Sequence, residues 1–277
     1  MVDPMSWLQA IVLGISQGLT EFLPISSSAH EMIINHLLGW QDGGAAFTAV
    51  TQIGTELAVI IYFRKDLVSI LTTWVKSFFD RELRKEPQAK MAWYVIIGTI
   101  PIAVFGVVFQ SIIETDLRNL WIVAATLIGL GLVLLAAEKL AKHERTQDDL
   151  TTRRALAFGF AQALALIPGV SRSGGTISAG LFMGFKRDVA ARYSFLLAIP
   201  AVIASAAFQI PDISKDEFVN WPATLVATGV AFVIGYIVIA QLMKYLATKT
   251  FIPFVIYRIV LGITLIGLLV TNTIAAS

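Results

Sequence analysis

Apolar residues occur along this chain in long stretches, and polar and charged residues concentrate between them. A helix that crosses a bilayer needs about 20 mostly apolar residues. The pattern therefore predicts an all-α integral membrane protein with six full spans. They lie at residues 45–63, 92–110, 119–138, 193–210, 221–243 and 251–271.

Two further apolar stretches are interrupted by polar clusters. Residues 7–39 are broken at "EFLPISSSAH", and residues 155–184 are broken at "PGVSRSGG". The apolar segments beside each break have about 10–18 residues, which is short for a bilayer crossing. Irregular backbone is tolerated at membrane depth only where protein or a wet cavity covers it. Each stretch is therefore predicted to form a re-entrant helical hairpin.

The charges of the connecting segments predict an orientation. Residues 64–90 and 139–154 are rich in Lys and Arg, whereas residues 111–118 and 211–220 carry more acidic residues. Basic loops favour the inside of a membrane, so both hairpins must return to the side from which they enter. Both chain termini then lie outside. The first residues lack the pattern of a cleaved signal peptide, and we expect them to be retained.

The two interrupted stretches resemble each other. "GISQGLTEFLPISSS" (14–28) aligns with "GFAQALALIPGVSRS" (159–173) at an offset close to half the chain. Each half, about 1–140 and about 150–277, would contain one hairpin and three spans. Because each half has an odd number of spans, the second half must lie upside down in the membrane relative to the first. Inverted repeats of this kind occur in transporters. The sequence thus predicts one membrane domain, residues 1–277, built as an inverted repeat. The matched pairs are Gly14 and Gly159, Gln17 and Gln162, Leu19 and Leu164, and Pro24 and Pro168.

Composition agrees with a membrane location and excludes several kinds of chemistry. Only 14% of the residues are charged and 56% are hydrophobic, whereas soluble domains carry about 25% charged residues. The net charge of +2 gives no reason to expect a nucleic-acid partner. The absence of cysteine excludes disulfides, thiolate zinc sites and cysteine nucleophiles.

The second break has the composition of an anion-binding turn. Arg172 carries a planar donor fork that suits phosphate, and an arginine at membrane depth is by default a functional candidate. Ser173 is predicted to N-cap the following helix, whose N-terminus would attract anions. The structural alternative is an ordinary turn whose arginine reaches the membrane surface. Further candidate donors are the hydroxyls of Ser171, Ser173 and Thr176 and the backbone at Gly174 and Gly175.

The first break supplies candidate nucleophiles and bases. Ser26, Ser27 and Ser28 could be nucleophiles or helix caps, and His30 could be an acid, a base or a nucleophile. If the helix begins near Ser27, that serine and His30 share a face at i and i+3. Glu21 adds a carboxylate in an apolar setting. The structural alternative, a histidine that only supports packing, remains open.

Together the two breaks fit attack on a phosphate ester that carries a lipid tail. One offers a nucleophile with an acid or base, and the other offers a cradle with positive charge. Two other hypotheses compete with this one. The first is a transporter or flippase for an anionic lipid or small anion, because inverted repeats with broken helices occur in transporters. The second is a membrane scaffold without chemistry, which leaves both polar breaks unexplained.

At these motifs the chain resembles the undecaprenyl-diphosphate phosphatase family, the bacitracin-resistance proteins. The first family motif stands here as "QGLTEFLPISSSAH" and the second as "PGVSRSGG". The resemblance extends over nearly the whole chain. It includes "TQIGTELAV" (51–59), "SFLLAIPAV" (194–202) and "FIPFVIYRI" (251–259).

The resemblance implies an activity and a location. It implies hydrolysis of the terminal phosphate of undecaprenyl diphosphate, which gives the lipid monophosphate carrier of bacterial cell-wall (peptidoglycan) synthesis. It implies a multi-pass protein of the bacterial plasma membrane with an active site open to the outer face. It also implies a divalent cation, Mg²⁺ or Ca²⁺, and leaves a homodimer open.

Residue by residue, the resemblance makes Ser27 the candidate nucleophile, with His30 as its rival. Glu21 is the acid or base, or a carboxylate that faces the metal ion. Arg172 grips the diphosphate. The remaining substrate-binding candidates are Ser26, Ser171, Ser173, Gly174, Thr176 and Gln17.

This sequence departs from the family pattern at two positions. Gln17 stands where many members have a glutamate, which puts a metal site built on two carboxylates in doubt. Glu31 follows His30 where an apolar residue is expected. Glu31 either forms a capping box with Ser28 or replaces the missing carboxylate. Three polar residues within predicted spans either line the cavity or pair with one another. They are Gln52, Glu56 and Arg258.

Overall fold

The computed structural model describes residues 5–40, 44–114, 117–213 and 220–276, and within these ranges the chain is built from α-helices with short 3-10 turns. The acidic connections predicted at 111–118 and 211–220 fall partly outside the described residues, as do the first four residues. The helices are α1 Trp7–Thr20, α2 Ser27–Leu38, α3 Gly44–Tyr62, α4 Arg64–Lys76, α5 Pro87–Val108, α6 Gln110–Glu114, α7 Leu120–Leu140, α8 Thr152–Ala163, α9 Arg172–Phe182, α10 Arg187–Ile213, α11 Trp221–Leu246 and α12 Ile252–Val270.

Five helices of the described chain are long and apolar enough to cross a bilayer. They are α5, α7, α10 as far as Ala207, α11 and α12, and they confirm five of the six predicted spans. The sixth, predicted over residues 45–63, is helix α3. Its described apolar part, Phe47–Tyr62, is shorter than a full span. The chain is therefore an all-α, multi-pass membrane protein.

The basic segment over residues 64–90 contains more structure than the loop that was predicted. Helix α4 occupies its first half, and α5 begins at Pro87, five residues before the predicted span. Proline suits a first helical position, because the amide hydrogen that it lacks would have no partner there. The Trp74 ring of α4 packs edge-on against Trp93 of α5, with ring centroids 5.7 Å apart. This contact holds α4 against the end of a membrane-crossing helix.

The two interrupted stretches form pairs of short helices, α1 with α2 and α8 with α9. These helices have 14, 12, 12 and 11 residues. At about 1.5 Å per residue, none reaches across a hydrocarbon core of about 30 Å. Helix α1 packs along α11, and α8 packs along α5, so long helices cover both pairs. Helix α9 also packs against α7 and α10, and this packing encloses the turn that precedes it.

An aromatic side chain anchors the first turn in the core. Phe22 is 2% exposed and packs edge-on against Phe195 of α10, with ring centroids 5.6 Å apart. Edge-to-face contacts of this kind stabilise aromatic pairs beyond their buried area. Because Phe22 directly follows Glu21, this packing fixes the backbone that carries the carboxylate.

Candidate active site

The first turn places a serine in the left-handed backbone region directly before helix α2. Ser26 has a φ of 73°, and its Oγ accepts a hydrogen bond of 3.3 Å from the amide of Ala29. A positive φ is uncommon for a residue that has a Cβ. Ser27 is the first residue of α2, which is the helix start assumed when Ser27 and His30 were placed on one face.

The second turn uses the same arrangement before helix α9. Ser171 has a φ of 69°, and its Oγ accepts from the amide of Gly174 at 3.1 Å. The prediction that Ser173 caps this helix is wrong, because α9 begins at Arg172 and its cap is Ser171. Ser173 lies inside the first turn of α9 and donates to the carbonyl of Leu23 at 3.1 Å. It thereby joins the second turn to the first.

The two turns meet at the buried carboxylate of Glu21. Its Oε2 accepts from Ser27 Oγ at 2.6 Å and from Gln17 Nε2 at 2.9 Å. Its Oε1 forms an ion pair with Nη2 of Arg172. A buried charge is tolerated when it is paired and hydrogen-bonded in this way. The structure thus brings together Glu21, Ser27 and Arg172, although Arg172 lies 151 residues from Glu21 in the chain.

His30 lies beside this group but has different partners. Its Nδ1 is 2.7 Å from the carbonyl oxygen of Ser26, which can only accept, so Nδ1 carries the proton. Its Nε2 then accepts from the hydroxyl of Tyr257 at 2.7 Å, and the two rings stack with an interplanar angle of 6°. Ser27 and His30 share a helix face as predicted, but the hydroxyl of Ser27 bonds to Glu21. The basic group next to Ser27 is therefore the carboxylate.

Other predicted binding residues hold the second turn together. The Oγ atoms of Ser171 and Ser173 are 3.1 Å apart, and the amide of Gly174 donates to Ser171. Thr176 is fully buried and shares a hydrogen bond with the hydroxyl of Ser194 on α10. Their contacts with a substrate stay predictions. In this structure these groups fix the shape of the turn.

Arg258 of α12 forms hydrogen bonds with both turns. The side chain is fully buried, and its hydrogen bonds run to main-chain carbonyls, not to Gln52 or Glu56. A Cβ at Gly174 would lie 2.8 Å from Nη1 of Arg258, so a larger residue there would displace the guanidinium from its carbonyl partners. The arginine therefore links the two turns to each other and to α7. The carbonyls belong to Pro24 in the first turn, Gly169 and Val170 in the second, and Thr126 and Leu127 in α7, at 3.0–3.2 Å.

A small cavity of about 10 Å³, with room for about one water molecule, lies against the meeting point of the turns. Apolar side chains from the first turn, α3 and α10 form the rest of its wall. The described site therefore combines two carboxylates, one guanidinium and two hydroxyls around a small cavity. The polar groups that line it belong to Glu21, Glu56, Arg172, Ser173 and Ser194.

The two roles predicted for Glu31 have different outcomes: the capping box is wrong, and the role as a second carboxylate near a metal ion stays a prediction. The capping box with Ser28 does not form, because the cap of α2 is Ser26. The carboxylate of Glu31 instead accepts from the hydroxyl of Thr48 on α3, at 2.9 and 3.0 Å to its two oxygens. Glu31 is also not among the residues that line the cavity.

Sequence reasoning left two site residues unassigned. Glu56 stood between lining the cavity and pairing with Arg258, and the structure places it at the cavity. A carboxylate inside an apolar span was the available signal. The sequence did not identify Tyr257, whose hydroxyl donates to His30, as a site residue. A tyrosine beside a buried arginine in a lipid-facing helix gives no distinctive pattern.

The fold and the site define a class: a multi-pass membrane protein whose two polar turns meet at a buried group of carboxylates, hydroxyls and one guanidinium. A sequence model of the family described as bacitracin resistance protein BacA matches residues 10–264. The chain therefore belongs to the BacA family.

Curated relatives match over nearly the full length of this chain. Undecaprenyl-diphosphatase 2 of Streptomyces coelicolor is 52% identical over 276 residues, which cover 95% of each chain. The undecaprenyl-diphosphatase of Thermobifida fusca is 53% identical and covers 95% of this chain and 90% of its own. That of a Nocardioides species is 51% identical over the whole of both chains.

Proposed function

We propose that this protein is an undecaprenyl-diphosphatase. It hydrolyses the terminal phosphate of undecaprenyl diphosphate and releases the lipid monophosphate used in cell-wall synthesis. The observation that carries the proposal is the contact of Ser27 and Arg172 with opposite oxygens of the Glu21 carboxylate. The names of the relatives specify the same reaction, and they do not favour the transporter hypothesis.

The first chemical step is attack by Ser27 Oγ on the terminal phosphorus. A bond from Oγ to phosphorus forms while the bond to the bridging oxygen breaks, and the lipid monophosphate leaves with that electron pair. Glu21, 2.6 Å from Oγ, accepts the hydroxyl proton. Water then attacks the phosphoserine and releases inorganic phosphate. Glu21, having passed the first proton to the departing lipid monophosphate, takes a proton from that water and gives it to Ser27 Oγ as the bond from Oγ to phosphorus breaks.

Arg172 stabilises the charge on the oxygens of the transferred phosphoryl group. Its guanidinium has several donors in one plane, so it can exchange its bond to Glu21 for bonds to phosphate. This exchange also frees one oxygen of Glu21 when substrate arrives. The ion pair of the resting site thus keeps the base and the anion-binding group in position together.

Ser27 is preferred over His30 as the nucleophile because of the hydrogen bonds that each makes. Ser27 directly contacts a carboxylate that can accept its proton. His30 has both ring nitrogens engaged, one with a carbonyl and one with Tyr257. Attack by His30 would first require its Nε2 to leave Tyr257. Trapping the phosphorylated enzyme and identifying phosphoserine or phosphohistidine tests this choice.

We propose that a divalent cation, Mg²⁺ or Ca²⁺, assists the reaction. In the described chain no three His, Asp or Glu side chains gather into a metal-binding group. A cation that uses few carboxylates together with substrate oxygens and water fits this donor set. Glu21 would hold it at the cavity. When bound, the cation would neutralise diphosphate oxygens.

We further propose that the chain is an inverted repeat whose two hairpins enter the membrane from opposite sides. Both turns begin a helix with a serine of positive φ, Ser26 and Ser171. Gly14 and Gly159, paired in the sequence, each lie tightly against a carbonyl of a long helix. Helix α1 meets α11, and α8 meets α5, so each hairpin packs on the other half. We also propose, from the loop charges together with the family resemblance, that the basic loops lie inside and that the active site opens to the outer face of the plasma membrane.

The deciding experiment measures phosphate release from undecaprenyl diphosphate by purified protein in detergent, with and without EDTA. We expect release that EDTA abolishes and Mg²⁺ or Ca²⁺ restores. Detergent micelles have no second compartment, so release under these conditions excludes transport as the sole activity. A wild-type protein that binds the lipid and releases no phosphate would overturn the proposal.

A further inference from the structure

Glu56 is the one cavity group whose bonding is incomplete among the described residues. The side chain is 3% exposed and lines the cavity. Its Oε1 is buried and has no hydrogen-bond partner within the described chain. Its Oε2 lies 3.9 Å from Nη2 of Arg172. A buried carboxylate oxygen without a partner is costly, so its retention needs an explanation.

Support of Arg172 is an insufficient explanation. The separation of 3.9 Å is beyond hydrogen-bond distance, whereas Glu21 binds the same nitrogen directly. Removing Glu56 would leave Arg172 with its close partner. The position of the free oxygen therefore suits a ligand that enters the cavity better than it suits a fixed structural role.

The charges around the cavity specify the sign of that ligand. With both carboxylates ionised, Glu21, Glu56 and Arg172 sum to one negative charge, which would repel a diphosphate. A divalent cation in the cavity reverses this sign and gives the substrate a positive surface. Magnesium is commonly held by one or two carboxylates, with phosphate oxygens and water as its other ligands.

The other acidic candidates are already engaged or absent. Residue 17 is a glutamine, and its side-chain nitrogen donates to the Glu21 carboxylate at 2.9 Å. Glu31 accepts from Thr48 and is not among the cavity residues. Both oxygens of Glu21 have donors. Glu56 is thus the carboxylate at this cavity with an oxygen to offer.

We infer that Glu56 is the second carboxylate of the cation site and stands in for the glutamate that position 17 lacks. Glu21 lines the same cavity and would be the first carboxylate. The inference rests on the proposed function for the reaction that the cation serves, but cation binding itself is measurable without substrate.

The test measures Mn²⁺ binding by electron paramagnetic resonance on the purified protein in detergent. Wild-type protein is compared with Glu56→Gln, which keeps the side-chain volume and removes the charge. We expect Glu56→Gln to weaken Mn²⁺ binding about tenfold or more, the scale seen for groups that support metal sites. Glu31→Gln is the matched control, because it neutralises a buried glutamate outside the cavity, and it should bind Mn²⁺ like the wild type.

A relocation variant sharpens the test. Gln17→Glu in the Glu56→Gln background returns a second carboxylate beside Glu21, and we expect it to restore most of the Mn²⁺ affinity. Glu56→Asp keeps the charge on a shorter side chain and should bind Mn²⁺ with intermediate affinity. This variant gives an answer even if the glutamine variant fails to fold, which thermal unfolding would detect.

The outcomes separate this inference from the proposed function. If Glu56→Gln binds Mn²⁺ as well as the wild type, the inference is wrong, even where phosphate release falls. That pattern would mean that Glu56 acts through Arg172. If wild-type protein releases no phosphate but its Mn²⁺ binding depends on Glu56, the cation site stands and the proposed reaction fails.

Discussion

Ser26 and Ser171 occupy nearly the same backbone conformation in the two hairpins, with φ values of 73° and 69°. Each caps the next helix, and each pairs with the serine two residues later at 3.1 Å. The residue that follows the cap differs: it is Ser27 in the first turn and Arg172 in the second. One position therefore holds the candidate nucleophile in one hairpin and the anion-binding group in the other.

The comparison teaches that backbone and chemistry are specified by different residues. The serine caps set where each helix begins, and so they aim the first helical side chain at the same place. Both of these side chains reach the carboxylate of Glu21. The second hairpin has no acidic residue between Gly159 and Ser178, so the carboxylate comes only from the first. The turns resemble each other in form and complement each other in charge.

The largest effects should come from the two residues that differ. Ser27→Ala and Arg172→Ala should each lower kcat/KM by about 10³-fold or more, as loss of a nucleophile or a phosphate-binding arginine does elsewhere. Arg172→Lys keeps the charge but loses the planar fork, and it should recover part of the activity. Phosphate release with undecaprenyl diphosphate measures all three. A mild effect of either alanine variant would refute the division of roles between the turns.

The next largest loss of activity and stability should come from removing the Arg258 hydrogen bonds that link the two turns. Arg258→Met leaves several buried carbonyls without a donor, each costing about 1–3 kcal/mol, so the unfolding temperature should fall strongly. Arg258→Lys keeps the charge with fewer donors. It should lower kcat by about 10²-fold, as small misplacements of reacting groups do. An Arg258→Lys variant with normal kcat would show that the link is not needed to align Ser27 with Arg172.

A smaller effect is expected at the hydrogen bond between Tyr257 of α12 and His30, which lies beside the first turn. Tyr257→Phe removes the hydrogen bond to Nε2 of His30, a contribution of about 0.5–1.5 kcal/mol. We expect kcat/KM to fall by about tenfold at most. If Tyr257→Phe instead matches Ser27→Ala in severity, His30 has a more direct part than its contacts suggest. Kinetics of the two variants, measured side by side, give the answer.

The smallest effects should occur at the feature that the turns share. Ser26→Ala and Ser171→Ala lose a cap worth about 1 kcal/mol and also place alanine at a positive φ. Ser26→Gly and Ser171→Gly tolerate that φ and should cost only a few tenths of a kcal/mol. Thermal unfolding in detergent should rank alanine below glycine at both positions. Opposite rankings at the two positions would show that the turns are not equivalent.

The sequence predicted the long helices well because their length and hydropathy carry the information. Helix α4 was missed because its basic residues, Arg64, Lys65 and Lys76, led to the prediction of a loop, and only Ile70 of this helix is buried. The cap of α9 was misplaced because Ser171 and Ser173 are both suitable residue types. Only the backbone, with its positive φ at Ser171, distinguishes them.

The candidate site was predictable where two motifs supplied it. Glu21, Ser27 and Arg172 stood out as polar groups in apolar surroundings, and the internal similarity indicated that the turns meet. The partners of His30 and Arg258 were not predictable. Tyr257 lies 227 residues from His30, and the Arg258 contacts are to carbonyls, which every residue type provides. Glu56 was visible as an intramembrane carboxylate, but its orientation required the folded chain.

The position of Arg258 in the chain has a consequence for biosynthesis. Its donors bind carbonyls of Pro24 and Val170, so this link between the two turns cannot form until the last helix is made and inserted. Until then, the two turns have only their direct contacts, Arg172 with Glu21 and Ser173 with Leu23, to hold them together. A ribosome-bound chain that ends before α12 should be inactive and open to membrane proteases, whatever the state of its other helices. The chain thus acquires its chemistry at the end of synthesis, in one late step.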